Sequence, residues 1–132
     1  MSSTSTAPFG LSRIGQIAVV VHDVPRAVAF YRDTLGMRLL FEAPPSMAFF
    51  DCAGVRLMLS LPSSPEFDHP ASIIYYAVED IQEAWKALAA RGVRFEREPH
   101  IIARLPHADL WMASFRDPDG NFLEIMNEAA RT

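Results

Sequence analysis

The run Phe122-Leu123-Glu124-Ile125-Met126 sets one carboxylate among apolar residues. A carboxyl group buried without a cation has its pKa raised by desolvation, so Glu124 is a candidate general base or ligand. An ion pair with Arg56 is the structural alternative. His100 and His107 flank Ile101 to Pro106, in a stretch read as a loop that also carries Arg104. Such a group suits an anionic substrate; ordinary surface histidines are the other reading. Tyr75 and Trp111 are candidates for an aromatic wall against a planar ligand, with Trp111 as core the alternative. Cys52 follows Asp51 with no adjacent base and reads as an inert buried thiol. His22 reads as local structure before a helix cap, and His69 has no evident partner.

The elements that must position these groups come in two similar sets. Ile17 to Val21 reads as a strand and Val24 to Leu35 as a helix capped by Asp23 and stopped by Gly36. Strand-like runs follow at Met37 to Glu42, Met47 to Cys52 and Val55 to Leu61. The second set has a strand over Ser72 to Val78 and a helix over Ile81 to Arg91 behind Asp80. Its later strands are Val93 to Glu98, Leu110 to Phe115 and Asn121 to Asn127. His22-Asp23 aligns with Glu79-Asp80 at an offset of 57, and Gly54 with Gly120 at an offset of 66. The surplus falls in Pro99 to Ala108. An internal repeat of this kind is stronger evidence than a single motif. The expected organisation is a tail over 1–10, a first βαβββ module over 11–61, a linker over 62–70 and a second module over 71–128, forming one compact α+β domain.

Strand alternation sorts the side chains. Val19 and Val21, Leu57 and Leu59, Tyr76 and Val78, and Leu123 and Ile125 suit a face covered by helices. Gln16, Arg56 and Met58, Ile73 and Tyr75, and Phe122 and Glu124 occupy the other face. A mixed set of apolar walls and a few polar groups is the composition of a ligand pocket. Simple solvent exposure of that face is the alternative.

Composition limits the function classes. The 132 residues are half hydrophobic and carry a formal charge of −4, without a basic cluster, which argues against nucleic acid as a partner. A single cysteine cannot form an internal disulfide. No apolar run is long enough to span a bilayer, and the Ser/Thr-rich start lacks the pattern of a signal peptide. The expectation is a cytoplasmic protein without a membrane partner.

Three stretches together carry a family resemblance. They are Ile14-Gly15-Gln16-Ile17-Ala18-Val19-Val20-Val21-His22-Asp23, Ala29-Phe30-Tyr31-Arg32-Asp33-Thr34-Leu35-Gly36-Met37, and Asp117-Pro118-Asp119-Gly120-Asn121-Phe122-Leu123-Glu124-Ile125. The chain resembles the vicinal-oxygen-chelate superfamily of glyoxalases, bleomycin-resistance proteins and ring-cleaving dioxygenases. The resemblance implies two βαβββ modules with curved sheets, a cavity between them and a homodimer. It carries the family's metal positions onto Gln16, Met58, Ile73 and Glu124. The offsets of 57 and 66 relate Gln16 to Ile73 and Met58 to Glu124. Gln16 and Glu124 suit a hard divalent ion, whereas Ile73 cannot coordinate and a thioether prefers soft ions. His107 is a candidate to replace the ligand missing at Ile73. The expected function is therefore binding of a small organic molecule without a tightly bound cofactor. The alternative is a lyase, isomerase or dioxygenase that uses Fe, Mn, Ni or Zn on a substrate with adjacent oxygens, with Glu124 as ligand or acid–base group.

Overall fold

The computed structural model describes residues 8–131; residues 1–7 of the expected tail lie outside the described residues. The first module runs β1 (Gln16–Val20), α1 (Val24–Ala29), a π turn (Phe30–Thr34), β2 (Arg38–Ala43), β3 (Met47–Cys52) and β4 (Val55–Ser60). A 3-10 turn (Pro65–Phe67) lies in the connection. The second module runs β5 (Ile74–Ala77), α2 (Ile81–Ala90), β6 (Phe95–Arg104), β7 (Ala108–Arg116) and β8 (Phe122–Ala130). The sheets have equivalent orders, β1-β4-β3-β2 and β5-β8-β7-β6. Their β1–β4 and β5–β8 pairs are parallel, and the remaining pairs are antiparallel. The architecture is α+β with two βαβββ modules.

Both helices start where short polar side chains take over orphan backbone donors. Asp23 accepts from the Arg26 amide, and Asp80 from those of Gln82 and Glu83; caps of this type stabilise by about 1 kcal/mol. The helix expected over Val24 to Leu35 changes character at Phe30. The Leu35 amide donates to the Phe30 carbonyl at 2.9 Å, five residues back. The widened turn sends both consecutive aromatics inward. Tyr31 lies 6.1 Å from Phe50 and Phe30 lies 6.4 Å from Phe115. Gly36 follows at φ +77°, a left-handed position that favours glycine.

Apolar residues from the helix-facing sides of both sheets form one buried cluster: Val19, Phe50, Leu57 and Leu59 from the first, Ala113, Phe115, Leu123 and Ile125 from the second. Because the helix-facing sides share a core, the other face of each sheet turns outward.

The Asp117-Pro118-Asp119-Gly120-Asn121 turn ties the modules together. Buried Asp117 accepts from Tyr31 Oη at 2.8 Å and from Asn121 Nδ2 at 2.9 Å through Oδ2. Its Oδ1 accepts the amides of Asp119 and Asn121, both at 2.9 Å. Asn121 Nδ2 also donates to the Val20 carbonyl at 2.9 Å.

At the rim of this turn, His22 bridges two carboxylates. Its Nε2 is 2.7 Å from Asp68 and its Nδ1 is 3.2 Å from Asp119, which also takes Arg26 at 3.1 Å. The hydrogen bond to Asp68, then the charge of that group and the contacts to Asp119, raise the imidazole pKa above 6.5. Protonated His22 therefore stabilises the fold fully below its unfolded pKa, about 6.5. That contribution is lost as pH rises through the higher folded value. His22→Gln is expected to flatten this part of a melting-temperature profile against pH and leave the alkaline limb unchanged.

The last three strands also differ from the sequence expectation. The stretch Pro99 to Ala108 is not a loop. β6 continues to Arg104, and only Leu105, Pro106 and His107 turn the hairpin. Register shifts between Phe95 and Arg97, Arg97 and His100, and Ile101 and Ala103 absorb the surplus residues; β-bulges of this kind let Pro99 sit within a paired strand. β8 likewise extends past Asn127 to Ala130, pairing with the lengthened β7.

Candidate ligand-binding site

The outward face of the first sheet is read directly from register. Gln16 pairs with Arg56, Ala18 with Met58, and Phe49 with Met58 across the next ladder. Phe41 pairs with Phe49 and stacks on it at 4.5 Å and 25°. The Arg56 guanidinium lies 5.5 Å from the Phe49 ring centre and donates from Nε to Gln16 Oε1 at 3.1 Å. Gln16 Nε2 contacts Met58 Sδ at 3.7 Å. The first sheet thus presents a flat aromatic wall with a fixed cation at one edge. A shallow cavity of about 290 Å³ continues this face past Ala18, Met58 and Ser60 to Phe67 and His69.

On the second sheet Glu124 pairs with Tyr75 on one side and Ser114 on the other. His100 pairs with Met112, which pairs with Met126, so the imidazole belongs to the same face. Partial burial raises the Glu124 pKa, while the charges of His100 and Arg97 pull it down. Ser114 Oγ is buried without a hydrogen-bond partner among the described residues. Tyr75 is 48% exposed, and Ile73, just before β5, is 46% exposed. Phe122 starts β8 on this face, with the Arg116 guanidinium 5.0 Å from its ring.

A raised carboxyl pKa gives a definite sign. The ionised form is the disfavoured one, so Glu124 costs stability as pH rises through its folded pKa. Glu124→Gln is expected to melt at or slightly above the wild-type temperature at neutral pH. The two proteins should converge in acid. A marked loss at neutral pH would show that the carboxylate has a structural partner.

The structure does not bring all the sequence candidates together. Arg56 bonds Gln16, so the alternative ion pair between Glu124 and Arg56 does not form among the described residues. Trp111 pairs with Asn127 and packs against the shared core. It lies on the opposite face from Tyr75, so the two form no common wall. His107 sits at the hairpin tip before the Ala108–Ala130 pair. Six strand residues separate that pair from Glu124, about 20 Å at the usual rise of about 3.3 Å per residue. His107 is thus too distant to replace a ligand at Ile73 within one chain. Gln16 and Met58 face outward from one sheet, and Ile73 and Glu124 from the other. The hollow expected between the modules of a single chain is not made by these four positions.

Sequence reasoning missed Phe41, Phe49 and Ser114, and it placed His100 beside a loop, whereas the residue lies within β6. For Phe49 the alternation gave no signal, because Phe49 and Phe50 are adjacent and both apolar.

Among the described residues, no group of three or more His, Cys, Asp or Glu side chains gathers to hold a metal. The Gln16 amide oxygen is occupied by a guanidinium, a cation that opposes a divalent ion beside it. Met58 offers only a thioether and Ile73 nothing. These residues do not fit a hard divalent ion within one chain.

Comparison with known proteins gives the class. Residues 13–125 match the family model of the Glyoxalase/Bleomycin resistance protein/Dioxygenase superfamily. The chain belongs to this superfamily. The Bacillus subtilis (strain 168) protein YraH is 29% identical over 127 residues, spanning 83% of this chain and 94% of YraH. A superfamily member from Sphaerobacter thermophilus DSM 20745 superposes with a TM-score of 0.75 at 27% identity, covering 89% of this chain and 98% of that one. TnmS3, an antibiotic binding protein from Streptomyces sp. CB03234, has the same fold, with a TM-score of 0.75 at 23% identity over 92% of this chain and 100% of its own. No helix among the described residues is long and apolar enough to cross a membrane.

Proposed function

We propose that this protein binds a small planar organic molecule, without a resident metal, in a hollow that two copies of the chain complete. The first sheet of one copy faces the second sheet of the other, and twofold symmetry makes two equal hollows. The ligand lies flat on Phe41 and Phe49, presents an acceptor to Arg56 and Gln16, and presents a donor to Glu124. The observation that carries this reading is the outward set of each sheet. Each combines exposed apolar side chains with a few polar groups, while the opposite faces are used up in a shared core. Large exposed apolar side chains on one face mark an interaction surface. Similarity of fold to an antibiotic binding protein is compatible with binding in place of turnover.

The test uses 6-hydroxy-2-naphthoate, which is planar and has an acceptor at one end and a donor at the other. It is expected to raise the melting temperature by mass action, and Arg56→Ala and Glu124→Gln should each weaken binding. When these two variants are unfolded, mixed and refolded together, about a quarter of the hollows combine two unaltered sheets. Tight binding is expected to return to that fraction. No return would overturn the shared hollow, and a saturable rise with Mn, Fe, Ni or Zn salts would overturn the metal-free part.

A further inference from the structure

The connection between the modules borders the outward face of the first sheet. Pro62, Phe67 and His69 line one side of the shallow cavity there, and Ala18, Met58 and Ser60 line the other. Met58 also pairs with Phe49, so the floor of this cavity is continuous with the aromatic wall. Both ends of the connection are fixed. The Leu61 amide donates to the Ser46 carbonyl at 2.9 Å, and the Ala71 amide donates to Asn121 Oδ1 at 3.1 Å. Between them, residues 62–70 make one hydrogen bond to the modules among the described residues, between Asp68 and His22 Nε2 at 2.7 Å. The other bonds of this stretch, Phe67 to Ser64, Asp68 to Pro65 and His69 to Pro70, are internal to it.

That single tether depends on a proton. His22 sits between two carboxylates, with Asp68 at Nε2 and Asp119 at Nδ1. Only the imidazolium has an N–H for each of them; either neutral tautomer turns a lone pair on one carboxylate oxygen. The two carboxylates do not depend on it equally. Asp119 also accepts from the His22 amide at 2.8 Å and from Arg26 at 3.1 Å, whereas Asp68 has no other donor among the described residues. Loss of the proton therefore weakens the hold on residues 62–70 and leaves Asp119 in place. Two further titratable groups lie close by. The Asp23 carboxylate caps α1, and His69 Nδ1 is bonded to the Pro70 carbonyl. Neither supplies a donor to Asp68.

We propose that residues 62–70 are a proton-controlled strap at the end of the ligand hollow, drawn onto the first sheet while His22 is protonated and let go when it is neutral. The proposal rests on the reading of that sheet's outward face as the ligand site. Its sign follows from the bridge. The hydrogen bond and charge of Asp68, and then those of Asp119, favour the imidazolium. The strap is thus held at lower pH and released as pH rises through the folded pKa. A ligand on Phe49 and Met58 is walled in on the strap side only below that value.

Carbon-13 NMR relaxation reads the strap in the free protein. Order parameters at the α-carbons of Pro65, Phe67 and Asp68 are expected near the rigid value of about 0.85 at pH 6 and to fall towards the flexible value of about 0.6 at pH 9. The midpoint should equal that of the His22 imidazole. His22→Gln, whose amide can serve only one carboxylate, should remove this response. Asp68→Asn takes the charge from the strap, leaves His22 in place and should lower the His22 midpoint. Calorimetric titration with 6-hydroxy-2-naphthoate reads the site. Wild type should bind about threefold more tightly than His22→Gln at pH 6, the scale of one exposed ion pair, and equally at pH 9. The ratio cancels the titrations of Glu124 and of the ligand, which both proteins share. A strap equally ordered at pH 6 and pH 9, a response that persists in His22→Gln, an unchanged His22 midpoint in Asp68→Asn, or equal affinities at pH 6 would each overturn the proposal and leave the ligand site standing. Failure of the naphthoate to bind wild type at either pH would overturn it together with that site.

Discussion

Asp117→Ala is expected to lower the melting temperature by about 10 °C or more, corresponding to a loss of about 3 kcal/mol in a domain of this size. The reason is the number of donors left behind. Asp117 is buried and accepts four hydrogen bonds, two on each oxygen. Alanine leaves the Tyr31 hydroxyl, the Asn121 amide group and two backbone amides without that acceptor, and breaking a buried network is among the few causes of large losses. Asp117→Asn separates the contributions. An asparagine with its oxygen at the Oδ1 position keeps both backbone amides and sets an NH₂ against two donors at the other. About half of the loss is expected. Thermal melts of both variants decide the point, and an alanine variant within about 1 kcal/mol of wild type would mean that this network does not hold the modules together.

The largest effect on binding is expected at Phe49. Phe49→Ala should weaken 6-hydroxy-2-naphthoate by about thirtyfold, the scale of losing one aromatic anchor worth about 2 kcal/mol. Phe49 is the centre of its wall, stacked on Phe41 and lying beneath Arg56. Truncation removes the surface a flat ligand covers and also the ring that orients the guanidinium. Phe49→Leu keeps apolar area but loses the ring face that attracts a cation, so an intermediate loss is expected. Melting temperatures should fall far less than for Phe50→Ala, because Phe50 is fully buried in the core and Phe49 is not. Unchanged affinity in Phe49→Ala would place the ligand elsewhere.

The difference between these neighbours shows where sequence patterns stop being informative. Alternation sorted β1, β4, β5 and β8, because Gln16, Arg56, Tyr75 and Glu124 put a polar group on one face of each. It gave nothing in Met47-Ala48-Phe49-Phe50, where the neighbours are all apolar. Trp111 was ambiguous for the same reason, since its neighbours Leu110, Met112 and Ala113 are all apolar. The repeat itself revealed two like modules, but a repeat carries no information on whether their helices face inward or outward. That depends on contacts far apart in sequence, such as Phe30 with Phe115 and Tyr31 with Asp117. Hence the faces of β1, β4, β5 and β8 were legible, while their division between two surfaces of the chain was not.

The turn from Asp117 to Asn121 has a consequence for how the protein folds. Its side chains reach Tyr31, Val20 and His22, more than eighty positions earlier in sequence. Neither half-chain can assemble this junction alone, so each like module is expected to depend on the other for its folding. The halves are expected to denature in one concerted transition, and most of the entropic cost of loop closure falls on bringing the late turn to the early strand.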